Sequence, residues 1–287
     1  QKAGTTSLYE YIVQHPLAAR ARRRETHCLD WRWNDEAKST KARREHCHSF
    51  FFAKELECHP SILTGDSTPS YLLDAKRVIP RIKEVFPHET LKFFVMVRDP
   101  VARAFSHYQM VTSSEGSPEQ LKVRGNEWRA LNFEQVVKQE MEKLNEYGLI
   151  PYWDMDQGTV DMDMFESFTG SREEDDAWDR FMSDIPLGNG SHSLLARGLY
   201  SLELRPWFKF FARDRFFIIR LEDMKSEGVA QIMDQVWDHL ELPQFAVQDD
   251  TAKNTRSYDP MSDDSRAYLQ RFYAPHNSKM SEVLGKT

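Results

Sequence analysis

The sequence has few cysteines: Cys28, Cys47 and Cys58 are the three among 287 residues. A number this small and odd excludes a disulfide-stapled scaffold and permits one bridge at most. The sequence also lacks any apolar run near the roughly 20 residues that a membrane-spanning helix needs. Its 12 glycines and 13 prolines are too few for a collagen-like chain, and its 40% hydrophobic residues exclude full disorder. The composition therefore indicates a globular chain with a sizeable core.

An excess of positive charge is lacking as well. The formal net charge is -7, which argues against a nucleic-acid partner. The charge is unevenly distributed: residues 151–184 hold eleven acidic and two basic residues, so this segment carries -9 and the rest of the chain +2. We interpret the acidic and aperiodic stretch at about 150–190 as a long insertion or lid with partial disorder.

What the sequence does contain is an alternation of strand and helix patterns. Residues 91–97 (L-K-F-F-V-M-V) and 215–221 (R-F-F-I-I-R-L) are dense apolar runs, typical of buried parallel strands. Helical patterns occur at residues 76–86, 101–111, 133–147, 194–211, 224–240 and 264–284. This alternation predicts an α/β fold with a central parallel sheet flanked by helices.

The first residues form a turn that opens a helix. Lys2, Gly4, Thr5 and Thr6 stand directly before a helical pattern. Such a turn normally follows a buried strand, so we expect the first strand to lie ahead of Gln1. The sequence is then an N-terminally truncated fragment, and any anchor or targeting segment is missing with the strand.

A helix start of this kind offers free backbone N–H groups and the positive end of the helix dipole. Gly4 permits close approach of an anion, and Lys2 adds a positive charge. The site suits a phosphate or sulfate, although a capped helix after a turn is the simpler alternative. It is not the loop of nucleoside triphosphatases, because the pattern G-x-x-x-x-G-K-[ST] is absent.

A second candidate anion site follows the strand at 91–97. This strand delivers Arg98 to its carboxyl end, where open α/β sheets bind ligands. Ser106 lies eight residues further on, which is about two helical turns. Arg98 and Ser106 are therefore candidates to bind a phosphate together. The alternative is that Arg98 pairs with Asp99 and Ser106 faces solvent.

The two anion sites together resemble the cofactor site of sulfotransferases that use 3′-phosphoadenosine-5′-phosphosulfate. Residues 2–7 are similar to that family's 5′-phosphosulfate loop, and residues 98–108 (R-D-P-V-A-R-A-F-S-H-Y) to its 3′-phosphate motif. Four more segments resemble Golgi glycan sulfotransferases of the heparan-sulfate type: residues 24–30 (R-E-T-H-C-L-D), 65–71 (G-D-S-T-P-S-Y), 197–207 (R-G-L-Y to W) and 275–285 (P-H-N to L-G).

The sequence departs from that family at three places. Cys28 and Leu29 replace two aromatic residues, and Ser67 stands where the family has a lysine. The acidic segment 151–184 has no counterpart in the family. Because serine replaces the family's lysine at position 67, the basic contact that this lysine makes to cofactor or substrate is in doubt.

The resemblance implies a single sulfotransferase domain over residues 1–287, with a P-loop-like three-layer fold. The implied reaction moves a sulfuryl group from 3′-phosphoadenosine-5′-phosphosulfate (PAPS) to a hydroxyl or amine of a carbohydrate such as a glycosaminoglycan. The nucleotide product is 3′-phosphoadenosine-5′-phosphate (PAP). The implied setting is the Golgi lumen, as a type II membrane glycoprotein that meets the membrane only through its missing anchor.

The resemblance also assigns roles to residues. Glu25 is the general base, His27 and Asp30 orient it, and Lys2 stabilises charge on the leaving oxygen. The cofactor-binding residues are Lys2, Ala3, Gly4, Thr5, Thr6, Ser7, Arg98, Ser106, Lys253 and Arg256. Glu25 suits this role if burial raises its pKa. The alternative is a surface carboxylate paired with one of its arginine neighbours at 22–24.

Other interpretations stay open. The same fold can act on protein tyrosine or a small alcohol, or serve as a non-catalytic nucleotide- or glycan-binding module. The arginines at 20–24 either hold an anionic glycan or form a solvated basic turn. Residues 45–48 with Cys58 and His59 do not have the usual zinc spacing, so we expect no metal. Cys47 and Cys58 form a bridge in a secretory compartment or are two free thiols.

Overall fold

The structure is a computed structural model that describes residues 1–51, 59, 61–87, 90–186, 190–253 and 259–284. Its contacts divide the chain into two compact units. The first unit comprises Gln1–Arg98 and Trp207–Arg256, and the second comprises Asp99–Pro206 and Ser257–Thr287. The assignment of a single domain stays a prediction.

Helices dominate the described residues. In chain order they are α1 (Thr5–Ile12), α2 (Thr40–His48), α3 (Ala75–Val85), α4 (Pro100–Thr112), α5 (Pro118–Arg124), α6 (Phe133–Glu146), α7 (Met162–Phe168), α8 (Arg172–Asp184), α9 (Tyr200–Phe210), α10 (Leu221–Ser226), α11 (Val229–Leu240) and α12 (Asp263–Val283). The strands are β1 (Ala18–Ala19), β2 (Leu63–Thr64), β3 (Phe93–Val97), β4 (Trp153–Asp154), β5 (Thr159–Val160) and β6 (Phe216–Arg220).

The strands of the first unit are parallel. β3 pairs with β6 so that Phe93 lies opposite Phe216 and Val97 opposite Arg220. β1 pairs with β2, with Ala18 opposite Leu63. The prediction of two buried parallel strands is confirmed by β3 and β6. β1 and β2 escaped prediction because two residues are too few to show a hydrophobic period.

A cavity of about 290 Å³ in the first unit is bordered by both strand pairs. Its lining includes all of β1 and β2, four residues of β3 and one face of α1. Gln1 also borders the cavity. The expected strand ahead of Gln1 stays a prediction.

Two apolar clusters cover the β3–β6 pair. One contains Tyr11 of α1, Met96 of β3 and Trp237 of α11. In the other, Trp207 and the apolar face of α3 pack with Cys47. The predicted helix at 224–240 is two helices, because Gly228 between α10 and α11 has φ 92°, a backbone conformation that suits glycine.

In the second unit, the acidic segment is folded. β4 and β5 pair antiparallel, and α7 and α8 follow. The Ser171 side chain caps α8 by accepting from the Glu174 N–H, and three acids in the first turn complement the helix dipole. The prediction that residues 151–190 are aperiodic is therefore wrong for 162–168 and 172–184. The apolar residues of α8 are sparse but lie at helical spacing, and the density of acids hid them.

We expect Trp178→Ala to destabilise the second unit, because Trp178 on α8 is 6% exposed and lies against Phe181, with ring centroids 5.7 Å apart. Removing a buried tryptophan costs about 3–5 kcal/mol of unfolding free energy. Urea unfolding followed by circular dichroism measures this. Met164→Ala on α7, where the side chain is 45% exposed, is the control and should change the free energy little. A loss under about 1 kcal/mol for Trp178→Ala would place α8 outside the core.

Candidate functional site

The N-terminal loop has the geometry of an anion site. Gly4 precedes α1 with φ 93°, and among the described residues no side chain caps this helix. The positive φ favours glycine, and a Cβ on Gly4 would lie 2.8 Å from Cδ1 of Leu221, so the end of that side chain would have to shift. Because an uncapped helix start leaves backbone N–H groups for a ligand, the loop suits a phosphate or sulfate.

Two residues distant in sequence contact this loop. Arg98, directly after β3, donates from Nη1 to the carbonyl of Lys2 at 3.3 Å. The Lys253 backbone N–H donates to Ser7 Oγ at 2.9 Å. The Lys253 ammonium instead pairs with Asp249, 2.7 Å away. The structure thus brings residues 2–7, Arg98 and the Lys253 backbone together. Their binding of a cofactor stays a prediction.

For two further predicted cofactor residues the assignment stays a prediction. Ser106 lies on α4 in the second unit and is 5% exposed. Its action together with Arg98 stays a prediction. Arg256 lies outside the described residues, so its role stays a prediction too.

Glu25, His27 and Asp30 form a compact cluster in the first unit. His27 Nδ1 lies 3.0 Å from both carboxylate oxygens of Asp30. His27 Nε2 lies 3.7 Å from Glu25 Oε2. His27 has φ 55°, a conformation that is costly for a residue with a side chain and that persists where surrounding contacts enforce it. The imidazole is thus held between two carboxylates.

This environment sets the charges of the cluster. Burial lowers the pKa of His27, but hydrogen bonds to Asp30 and Glu25 outweigh it and raise that pKa to about 9. Burial likewise raises the pKa of Glu25, yet the His27 hydrogen bond and the Arg24 charge outweigh it and lower that pKa. The condition stated for Glu25 as the base, a pKa raised by burial, is therefore not met, because its charged neighbours outweigh burial. At neutral pH Glu25 can accept a proton, whereas His27 already carries one.

A second segment, residues 65–71, holds the cluster in place. Asp66 accepts from the Thr26 N–H at 3.0 Å and from the Thr26 hydroxyl at 2.5 Å. Ser70 donates from its hydroxyl to Asp30 at 2.5 Å. The sequence predicts no role for Asp66 and Ser70, although segment 65–71 resembles a segment of the family. The polar side chains in that segment could have indicated a role for these two residues.

The arginines at 20–24 have separate partners. Arg20 pairs with Glu10 at 2.6 Å, and Arg22 donates from Nε to the Phe51 carbonyl at 3.1 Å. Arg24 Nη2 lies 2.7 Å from Glu25 Oε1. The alternative in which Glu25 pairs with an arginine neighbour is thus present in the structure, but the same carboxylate also faces His27.

The part of the chain that the structure describes contains neither a metal-binding cluster nor a membrane-spanning helix. No group of three His, Cys, Asp or Glu side chains there could hold a metal ion. No helix there is long and apolar enough to cross a membrane. Cys47 donates from Sγ to the Cys28 carbonyl at 3.4 Å. Its predicted partner Cys58 lies outside the described residues.

Comparison with known proteins decides the family. A family model described as "Sulfotransferase domain" matches residues 1–279. The chain belongs to the sulfotransferase family. The family predicted from the motifs is thereby confirmed.

Curated relatives agree with this membership. The chain is 23% identical to the membrane-associated sulfotransferase kil1 of Dictyostelium discoideum. The match covers 99% of this chain and 64% of kil1. The chain is 24% identical to carbohydrate sulfotransferase 15 of Mus musculus over 82% of its length and 34% of the relative's. The chain therefore spans between one third and two thirds of these relatives.

A solved structure supports the fold. The crystal structure of a sulfotransferase from Alicyclobacillus acidocaldarius matches the sulfotransferase-family chain with a TM-score of 0.59 and 18% identity. The match covers 100% of this chain and 93% of that one. At this identity the likeness shows the fold alone, and it confirms the prediction of an α/β fold of the P-loop-like kind.

Proposed function

We propose that this chain transfers a sulfuryl group from PAPS to a hydroxyl or amine of a carbohydrate. The observation that carries the proposal is the Glu25–His27–Asp30 cluster, in which Glu25 is ionised and able to accept a proton. The cluster lies in the same unit as the uncapped start of α1. A proton acceptor for the hydroxyl and an anion site for the donor are the two parts that this reaction needs.

The loop residues fit the donor. Residues 2–7 offer backbone N–H groups, the hydroxyls of Thr5 and Thr6, and the Lys2 ammonium for the phosphosulfate end. Arg98, tied to the loop through the Lys2 carbonyl, would hold the 3′-phosphate with Ser106. When bound, the donor supplies a sulfuryl group joined to a phosphate oxygen, a good leaving group.

In the proposed mechanism, Glu25 takes the proton of the acceptor hydroxyl while the acceptor oxygen bonds to sulfur. The bond between sulfur and the phosphate oxygen breaks, and the electron pair leaves on that oxygen as PAP forms. Lys2 offsets the charge that develops there. The His27 imidazolium, fixed by Asp30, keeps Glu25 oriented. A carboxylate with a low pKa suffices because the acceptor proton becomes acidic as the new bond forms.

A transfer assay tests the proposal. The protein would be incubated with radiosulfate-labelled PAPS and neutral glycans, sulfated glycosaminoglycans, tyrosine peptides and phenols. Label on glycans is expected. Label confined to peptides or phenols would instead favour the tyrosine or small-alcohol activity. Nucleotide binding without transfer to any acceptor would indicate a binding module.

We expect Arg98→Ala to weaken PAP binding by roughly 10- to 150-fold, since a charge-assisted bond to phosphate contributes about 1.5–3 kcal/mol. Isothermal titration calorimetry measures this. Arg220→Ala is the matched control, because Arg220 lies opposite Val97 at the end of the partner strand and pairs with Asp223 at 2.7 Å. Equal affinities for the parent and a folded Arg98→Ala protein would remove Arg98 from the nucleotide site.

The cellular setting is also a proposal. We infer a Golgi lumenal glycoprotein that is anchored to the membrane and that sulfates glycosaminoglycans. The names of the two relatives, a membrane-associated sulfotransferase and a carbohydrate sulfotransferase, support it. Fractionation of cells that express the complete protein, with glycosidase treatment, tests it. A cytosolic, unglycosylated product would contradict it.

A further inference from the structure

Arg24 bridges two segments of the candidate site. Its Nη2 lies 2.7 Å from Glu25 Oε1. Its Nη1 donates to Ser67 Oγ at 3.4 Å. In return, the N–H and hydroxyl of Ser67 donate to the Arg24 carbonyl at 3.2 and 3.3 Å. One guanidinium therefore touches both the proposed base and the segment that holds the cluster.

The arginine of the Arg24–Glu25 pair is more sheltered than the arginine of the neighbouring ion pair. The side chains of Arg24 and Glu25 are 29% and 28% exposed. In the Arg20–Glu10 pair the arginine is 55% exposed. Exposed ion pairs contribute little because water and salt screen them. Water and salt therefore screen the charge of Arg24 less than the charge of Arg20.

Ser67 connects this contact to the wall of the cavity in the first unit. Ser67 borders the 290 Å³ cavity that Gln1 and Thr5 also border. Arg24 thus stands between Glu25 and a residue of the cavity wall. Position 67 itself brings no positive charge, so the guanidinium of Arg24 supplies the charge at this point of the site.

We propose that Arg24 is a positioning residue that fixes the orientation and the ionised state of Glu25, with Ser67 as its second anchor. The proposal rests on the proposed role of Glu25 as the base. A guanidinium stays charged over the whole working pH range and presents its N–H groups in a rigid fork. Two N–H groups of that fork are engaged here, so the carboxylate has one preferred orientation and its ionised form is favoured.

The contact to Ser67 gives the proposal a strong test. A lysine at position 67 would carry its ammonium on a flexible four-carbon stem, starting 3.4 Å from the present guanidinium. It can therefore reach the place that the guanidinium occupies. A charge removed at position 24 should be replaceable, in part, from position 67.

The experiment compares Arg24→Ala, Ser67→Lys and the double variant with the parent. We expect Arg24→Ala to lower kcat by about 10- to 100-fold, the scale of a misplaced reacting group. Removing the cation raises the pKa of Glu25, so the acidic limb of the kcat profile should move upward by about one pH unit. The double variant should regain most of both losses. PAP affinity should stay at the parent value.

Arg43→Ala is the matched control. Arg43 pairs with Glu84 at 2.6 Å, and the two side chains are 24% and 28% exposed, close to the values of the Arg24 pair. Its loss should leave kcat and the pH profile unchanged. Melting temperatures are measured for every variant. If Arg24→Ala does not fold, Arg24→Gln, which keeps the length and removes the charge, carries the same pH test.

An unmoved acidic limb in folded Arg24→Ala or Arg24→Gln would overturn the proposal, as would a folded double variant no better than the single one. If the parent transfers no sulfuryl group, the proposed function fails, and the inference is tested separately. Carbon-13 NMR titration of the Glu25 carboxyl then compares parent and variant. A higher pKa in the variant supports the inference, and equal values overturn it.

Discussion

Glu25→Gln should lower kcat by about 10²–10⁴-fold, the range for loss of a general base. The amide keeps the size of the side chain and removes its basicity. PAP affinity should stay nearly constant, since a carboxylate has the wrong charge to bind a phosphate. Steady-state turnover assays and calorimetry on one preparation measure both quantities.

Glu84→Gln is the control for Glu25→Gln. Glu84 is 28% exposed, as Glu25 is, and also pairs with an arginine. If folded Glu25→Gln turns over within about threefold of the parent, far short of the loss expected for a base, Glu25 is not the base. His27 is then the next candidate for the base. Because its pKa is about 9, it would have to act in the neutral form that predominates above that pH.

Asp30→Asn is the second variant with a large expected effect. Asp30 is 1% exposed and holds His27 Nδ1 with both of its oxygens. An asparagine cannot stabilise the imidazolium, so the pKa of His27 should fall from about 9 towards its ordinary value near 6.5. Carboxylate-to-amide changes beside an essential histidine lower kcat by up to about 10⁴-fold. We expect at least a 100-fold loss at pH 8.

The pH dependence of kcat in Asp30→Asn tests whether turnover requires the charged form of His27. If the charged form of His27 is required, the parent should lose activity as pH rises through about 9, and this limb should move to lower pH in Asp30→Asn. The free energy of unfolding also falls as pH rises. A raised pKa stabilises the folded state fully below the unfolded value near 6.5, and this contribution is lost as pH rises through about 9. Profiles of kcat from pH 5 to 10 measure the limb. If kcat falls at the same high pH in both proteins, the charge of His27 has no part in turnover.

Short-range sequence patterns were sufficient to predict some parts of the fold. β3 and β6 are continuous apolar runs, and α4 begins at Pro100 with the Asp99 side chain accepting from Ala102 N–H at 2.6 Å. Helix caps and buried strands leave such traces because their causes lie within a few neighbouring residues. α8 was missed because its apolar positions are few among many acids, and burial against the rest of its unit stabilises it more than its own sequence does.

The sequence by itself determined the family, the parallel strands β3 and β6, and the set Glu25, His27 and Asp30, because each rests on residue types at fixed short spacings. Only the tertiary structure decided the charge of Glu25. Burial and ion pairing oppose each other there, and their balance depends on distances to Arg24 and His27. It likewise decided that Ser67, forty-three residues from Arg24 in the chain, meets its guanidinium. Contacts of that range follow from how the segments pack, and no local pattern encodes them.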